Sequence, residues 1–147
     1  MAKQIERNAL VPFSALQMYD LVNDVEAFPQ FMDGCVGAQV LNRGDDFMEA
    51  RLDLRKGGLT QSFATRNQLI PGERIDMSLL QGDAFASLSG SWNFRALGDS
   101  GCKVSLTLNF AFKNPIFALA AEPWFERVAN QLVDSVCVRA KAIYIAK

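Results

Sequence analysis

Residues 103–115 read Lys103-Val104-Ser105-Leu106-Thr107-Leu108-Asn109-Phe110-Ala111-Phe112-Lys113-Asn114-Pro115. Val104, Leu106, Leu108, Phe110 and Phe112 share one parity, and Lys103, Ser105, Thr107, Asn109 and Lys113 share the other. An apolar side recurring every second residue predicts a β-strand with one dry and one wet face. Asn114-Pro115 ends that period, because Asn caps helices and Pro is tolerated at their first position. Phe117, Ala121, Phe125, Val128, Leu132, Val136, Ala140 and Ile143 then recur in steps of three and four. The spacing predicts a helix over 115–145, roughly 46 Å long. Pro123 is expected to kink or split it. Arg139, Lys141 and Lys147 near its end suit the negative pole of the helix dipole.

Upstream, the period of two repeats. Trp92 and Phe94 alternate with Ser91, Asn93 and Arg95; Ile75, Met77 and Leu79 alternate with Arg74, Asp76 and Ser78. Met48, Ala50, Leu52 and Leu54 alternate with charged residues, and Val36, Ala38 and Val40 alternate with Gly37 and Gln39. Arg43-Gly44-Asp45, Gly57-Gly58, Pro71-Gly72 and Gly98-Asp99-Ser100-Gly101 supply the turns between these runs. Connections this short force antiparallel neighbours, so the strands form a meander. In 59–70, Leu59, Phe63 and Leu69 share a parity with Gln61, Thr65 and Asn67. That strand is expected to place polar groups on the inner face.

The N-terminal third carries helix signals. Ser14 and Gln17 make a capping box, with Phe13 and Met18 placed as the hydrophobic staple. Asp24 is a candidate cap for a second short helix, which Pro29 should stop or bend. Strands followed by one long helix predict an α+β domain over 1–147. A curved antiparallel sheet wraps around the C-terminal helix, with two short helices after the first strand.

Half of the 147 residues are hydrophobic and 21% are charged, which excludes a disordered chain. The net charge of −1 argues against a broad electrostatic footprint for nucleic acid, and no DNA partner is expected. The absence of histidine removes His-based triads and His metal sites. Cys35, Cys102 and Cys137 are far apart and odd in number, as buried thiols in a reducing compartment would be. The polar start Met1-Ala2-Lys3-Gln4-Ile5-Glu6-Arg7 is unlike a signal or transit peptide, and no apolar run is long enough for a membrane span. A cytoplasmic protein is expected.

The inner surface is large and apolar. The sheet contributes Met48, Leu52, Leu54, Phe63, Met77, Leu79, Trp92, Phe94, Leu106 and Leu108. Phe125, Val128, Leu132 and Val136 face them from the helix. These fourteen are the candidate ligand-binding residues, since a curved sheet under one helix leaves space and Met and Phe suit an adaptable pocket. Tyr19, Gln61, Thr65, Asn67 and Asn130 are its candidate polar groups. Glu122 and Glu126, four apart near a helix start, read more readily as dipole complements than as an acid–base pair. No nucleophile elbow, Walker loop, dinucleotide fingerprint or metal cluster is present, so neither a catalytic residue nor a resident cofactor is expected.

Four stretches together resemble a known family. They are Leu10-Val11-Pro12-Phe13-Ser14-Ala15 running into Met18–Glu26, Phe28-Pro29-Gln30-Phe31-Met32 leading to Cys35, Phe63-Ala64-Thr65-Arg66-Asn67 with Leu88 and Trp92-Asn93-Phe94, and Val138-Arg139-Ala140-Lys141. The chain resembles the START-like, helix-grip superfamily of polyketide cyclases, dehydrases and lipid-transport proteins. Within it, the chain is similar to the coenzyme Q-binding protein and ribosome association toxin RatA family. The resemblance implies a hydrophobic tunnel for ubiquinone or a similar isoprenoid lipid, and a non-enzymatic carrier role in respiration. The alternative it implies is a toxin that binds the large (50S) ribosomal subunit and blocks 70S formation. A third reading is a cyclase acting on an aromatic polyketide. The loop Gln81-Gly82-Asp83-Ala84-Phe85-Ala86-Ser87 has no Lys or Arg and offers no phosphate contacts, which favours the quinone reading.

Overall fold

The computed structural model describes residues 2–145. Strand β1 (Lys3–Val11) leads to helix α1 (Ala15–Asn23) and a 3-10 helix, Val25–Gln30. The chain continues through β2 (Cys35–Arg43), β3 (Phe47–Lys56), β4 (Leu59–Ile70), β5 (Arg74–Gln81), β6 (Phe85–Leu97) and β7 (Gly101–Phe112). Helix α2 (Pro115–Tyr144) closes it. Lys147, expected near the helix end, lies outside the described residues.

The seven strands form a curved antiparallel sheet in the order β1-β7-β6-β5-β4-β3-β2. The meander β2 to β7 follows from its short turns. β1 then pairs with β7, with Ile5 opposite Leu108 and Ala9 opposite Val104. Helix α2 lies against β1 and β7. Arg7 ties the two layers, donating to the Asn130 carbonyl at 2.6 Å and to Asp134 at 2.9 Å. Lys3 lies between Glu122 and Glu126, at 3.8 and 3.4 Å, so that acidic pair serves an ion pair with β1.

Local signals act as the sequence predicts in most places. Ser14 Oγ accepts from the Gln17 amide and Gln17 Oε1 accepts from the Ser14 amide, the reciprocal capping box. Asn114 Oδ1 accepts from the amides of Ile116 and Phe117 at the start of α2. Met48, Ala50 and Leu54, Trp92 and Phe94, and Val104 through Phe112 on the even parity are all buried. Thr65 and Asn67 are buried polar residues on the inner face of β4.

Several expectations are corrected. Val36 is half exposed, because a bulge between Cys35 and Gly37 turns Cys35 inward instead. Asp24 makes no side-chain cap, and Pro29 lies inside the 3-10 helix, which ends one residue later. Helix α2 continues through Pro123 as one element, so the proline does not split it. Proline removes the amide that would bond the Leu119 carbonyl. Leu119 is 80% exposed, so water can take that carbonyl. Ile143 is exposed rather than part of the buried stripe, whereas Ala129 and Val133 are buried in it. Residues 85–87 belong to β6 rather than to a loop, and Phe85 is core.

The core has two main parts. One is phenylalanine-rich and sits under the first half of α2, where the Phe125 ring lies 5.3 Å from Phe85 and 4.7 Å from Phe110. The other gathers Met18, Tyr19, Trp92, Phe94, Val104, Val133 and Val136 around α1 and the second half of α2. Gly90 faces this interior from β6. A Cβ there would stand 2.5 Å from the Thr107 carbonyl oxygen, so β6 and β7 approach only because the position has no side chain.

Candidate functional site

Between α2 and the sheet lies an apolar cavity of about 80 Å³. Ten of the fourteen candidate residues border it: Leu52, Leu54, Phe63, Met77, Trp92, Leu106 and Leu108 from the sheet, and Phe125, Val128 and Leu132 from the helix. Leu79 packs inward against the phenylalanine-rich core but borders a separate, more open cleft rather than this cavity. Met48 packs with Val25 and Ala50, and Phe94 and Val136 pack in the core beside α1. Parity for Met48 and Phe94 and the helical spacing for Val136 give the inward face correctly, but their neighbours fill the space in front of them.

Phe28, Met32, Leu88 and Ala129 also line the cavity and were not anticipated. Each had a signal. Phe28 and Met32 stand four apart, Ala129 continues the Phe125–Leu132 stripe, and Leu88 shares parity with Trp92, interrupted by Gly90.

A second compartment of about 50 Å³ adjoins the first, sharing Phe28, Leu52, Thr65, Met77 and Trp92 as walls. It is the polar end of the interior. Thr65 Oγ1 donates to Asn67 Oδ1 at 2.8 Å. Asn23, from the end of α1, lines it and has a buried Oδ1 with no hydrogen-bond partner among the described residues. Gln61 and Asn130 are half-buried and border neither compartment; Tyr19 is buried in the core. The interior is thus smaller than the 300–1,000 Å³ typical of small-molecule pockets.

The large concavity is a cleft of about 710 Å³ where β3 and β4 meet the β5–β6 turn. Arg51, Ser62, Leu80, Gln81 and Lys113 are among its borders, and Phe63 reaches it through the sheet. Arg51 Nε donates to Asp53 at 3.0 Å, and Ser62 Oγ donates to the same carboxylate at 2.6 Å. The Ser62 hydrogen bond, helped by Arg51 against the cost of burial, holds the Asp53 carboxyl below its ordinary range. All three thiols are free, and burial pushes each pKa upward, Cys102 to about 11. They are poor nucleophiles and poor metal ligands at neutral pH. Among the described residues, no group of three or more His, Cys, Asp or Glu could hold a metal ion. No described helix is long and apolar enough to cross a membrane.

Three ion pairs neutralise part of the outer face. Arg66 pairs with Glu49, Arg51 with Asp53, and Arg74 with Asp76. Arg95 and Lys103, directly opposite each other on β6 and β7, take part in no ion pair among the described residues.

Residues 11–137 match the family described as polyketide cyclase / dehydrase and lipid transport. The ribosome association toxin RatA of Pseudomonas aeruginosa is 43% identical over 144 residues, which cover 98% of this chain and 99% of that protein. The mitochondrial coenzyme Q-binding protein COQ10 homolog B of Xenopus laevis is 27% identical over 97% of this chain and 61% of its own length. In fold, the Zhui aromatase/cyclase of Streptomyces sp. R1128 superposes with a TM-score of 0.87 at 18% identity, over 99% of this chain and 98% of that one.

Proposed function

The chain belongs to the polyketide cyclase/dehydrase and lipid transport family, and within that family we propose that it associates with the ribosome and restrains translation by binding, not by turnover. The observation that carries this reading is the end-to-end likeness to a ribosome association toxin, 43% identical over 98% of this chain. It reverses the order in which the sequence ranked quinone carriage and ribosome binding. Arg95 and Lys103 support it. Like charges directly opposite on a sheet repel, and an anion between them would relieve the repulsion. Ribosomal RNA phosphates are such anions, and the reading places the protein in the cytoplasm with its target. Overproduced protein is expected to co-sediment with large subunits and deplete 70S particles in a gradient. Failure to co-sediment even at low salt, where phosphate contacts are strongest, overturns it.

A second reading concerns the interior: the protein also holds a hydrophobic small molecule, such as an isoprenoid quinone. The apolar cavity favours it, with Met32 and Met77 as adaptable walls, and so does the likeness to a coenzyme Q-binding protein. Saturable quenching of Trp92 fluorescence by a quinone with a short isoprenoid tail is the test. No quenching by any quinone overturns the quinone assignment.

A further inference from the structure

Strand β4 outruns its partner on one side. On the β3 side its ladder reaches Lys56 opposite Leu59, closed by the two-residue turn Gly57-Gly58. On the β5 side the ladder stops at Ala64 opposite Gln81. A bulge beside that pair, with Leu80 as its extra residue, bends β5 away from β4. Leu59–Phe63 therefore has no strand partner on the β5 side. A two-residue turn makes Lys56 and Leu59 a hydrogen-bonded pair, and the pairs then alternate. Leu59, Gln61 and Phe63 direct their N–H and C=O groups to β3, and Thr60 and Ser62 turn theirs to the open side. Arg55, opposite Thr60, fixes this phase, since its N–H donates away from β4 to the Gly34 carbonyl at 2.8 Å. No described backbone hydrogen bond reaches Thr60 or Ser62 from the open side.

The cleft of about 710 Å³ stands against this free edge. Phe63, Leu79 and Phe85 give it apolar walls, and Arg51 and Lys113 give it cations. Among the described residues, Lys113 takes part in no ion pair, nor do Arg55 and Lys56 at the hairpin tip. Asp83 is the one carboxylate among the lining residues, and nearby Asp53 is committed to Arg51 and Ser62. Cations beside a free edge keep like chains from pairing with it, but they attract a strand that carries carboxylates. Backbone donors and acceptors alternate along the edge, which suits another backbone; a nucleic acid phosphate would meet only the donors.

We propose that the open edge of β4 at Thr60 and Ser62 is a docking site for an extended acidic segment of a partner protein, added as a strand in the place that β5 vacates. Alternate side chains of that strand face opposite ways. One set lies on the face of Leu59 and Phe63 and is apolar. The other lies on the face of Arg51 and Arg55 and is acidic. The inference rests on neither reading above.

The probe is an acetylated and amidated five-residue peptide that alternates glutamate and valine, as long as Leu59–Phe63. Amide hydrogen exchange of the full chain, followed residue by residue by NMR, is the measurement. Saturating peptide is expected to slow exchange at Thr60 and Ser62 by about tenfold or more and to leave Gln61, already bonded to β3, unchanged. A lysine–valine peptide is expected to bind about tenfold more weakly or worse, since its charges would face Arg51 and Lys113. Lys113→Glu should narrow that gap. Thr60→Pro removes an N–H that faces the open side, so the fold should persist while the peptide loses a hydrogen bond and meets the proline ring. If Thr60→Pro fails to fold, the parent's exchange pattern and Lys113→Glu carry the test. Equal binding of the two peptides overturns the acidic preference. Binding without protection at Thr60 and Ser62, or unchanged in folded Thr60→Pro, overturns the strand geometry. Protection of the same amides by polyuridylate RNA and by neither peptide assigns the cleft to nucleic acid and overturns the proposal, as does the absence of any peptide binding.

Discussion

Arg95 and Lys103 stand directly opposite each other across the β6–β7 ladder. Opposed like charges destabilise a sheet by a few tenths of a kcal/mol, up to about 1. Lys103→Thr is therefore expected to raise the denaturation midpoint of the free protein slightly while weakening ribosome association. Arg95→Glu combined with Lys103→Glu should remove co-sedimentation at moderate salt. Each lost phosphate contact should also flatten the log–log salt dependence of binding by about 0.7 to 0.9. Binding and salt slope unchanged in the double variant would place the contact on another face.

Most of the fold was legible because the sheet has one dry and one wet face. Met48 through Leu54 and Val104 through Phe112 could be assigned by parity alone, since one register buries them and the other exposes them all. Val36 was misplaced because a bulge adds a residue to the count, and a pattern of two carries no mark of it. Phe85 was missed because Ala84 and Ala86 flank it, so no alternation shows where the β5–β6 turn ends and β6 begins. The cavity was legible only in part. Parity told which side chains point inward, but not how far along the sheet α2 and the 3-10 helix leave room. Met48, Phe94 and Val136 are therefore core, while Phe28 and Met32 are cavity wall.

The buried Thr65–Asn67 bond gives a stability prediction. Thr65→Val removes the donor and leaves Asn67 Oδ1 buried without it, at a cost of about 1–3 kcal/mol. Thr65→Val together with Asn67→Leu replaces both partners by apolar groups and should recover much of that loss. Urea denaturation of the two single variants and the double variant measures the coupling. Strictly additive losses would mean that the 2.8 Å bond contributes nothing beyond its separate halves.

Gly90→Ala should destabilise by about 1–3 kcal/mol, the usual range for overpacking. The added methyl would meet the Thr107 carbonyl oxygen at 2.5 Å and Leu108 Cδ1 at 2.9 Å. Backbone cannot swing aside as a side-chain end can. Gly58→Ala is the control, because nothing lies within 4 Å of a Cβ there. Thermal midpoints that fall equally in both variants would show that the close approach of β6 and β7 is not the cause.

Burial raises the Cys102 pKa from 9.0 to about 11, with Cys137 adding a smaller push. Below pH 9.0 the thiol is protonated whether the chain is folded or not, and it gives no pH dependence. Between 9.0 and about 11 the unfolded chain releases the proton and the folded chain keeps it. Stability should therefore fall across that window. Tyr19 and Tyr144, also raised chiefly by burial, act in the same direction at higher pH. Cys102→Ala should show a shallower decline in urea midpoint from pH 9 to 11 than the parent. Identical declines would assign the effect to the tyrosines and the other thiols.

The two proposed binding activities are separable by mutation. Leu132 borders the interior cavity from α2, whereas Arg95 and Lys103 lie on the far side of the sheet. Leu132→Glu puts a carboxylate against Trp92, Leu106 and Phe125 with no cation on that wall. Keeping it charged there costs on the order of several kcal/mol, so it either takes up a proton or drives the site open. In either state the cavity is less apolar, and quenching by an isoprenoid ligand should weaken strongly. Ribosome co-sedimentation should persist, provided circular dichroism shows the fold intact. The Arg95 and Lys103 charge reversals should give the opposite result, with quenching retained and co-sedimentation lost. Two variants that each remove one activity would establish separate surfaces. Loss of both activities in a folded Leu132→Glu protein would show that the interior ligand and the ribosome-binding face depend on one another.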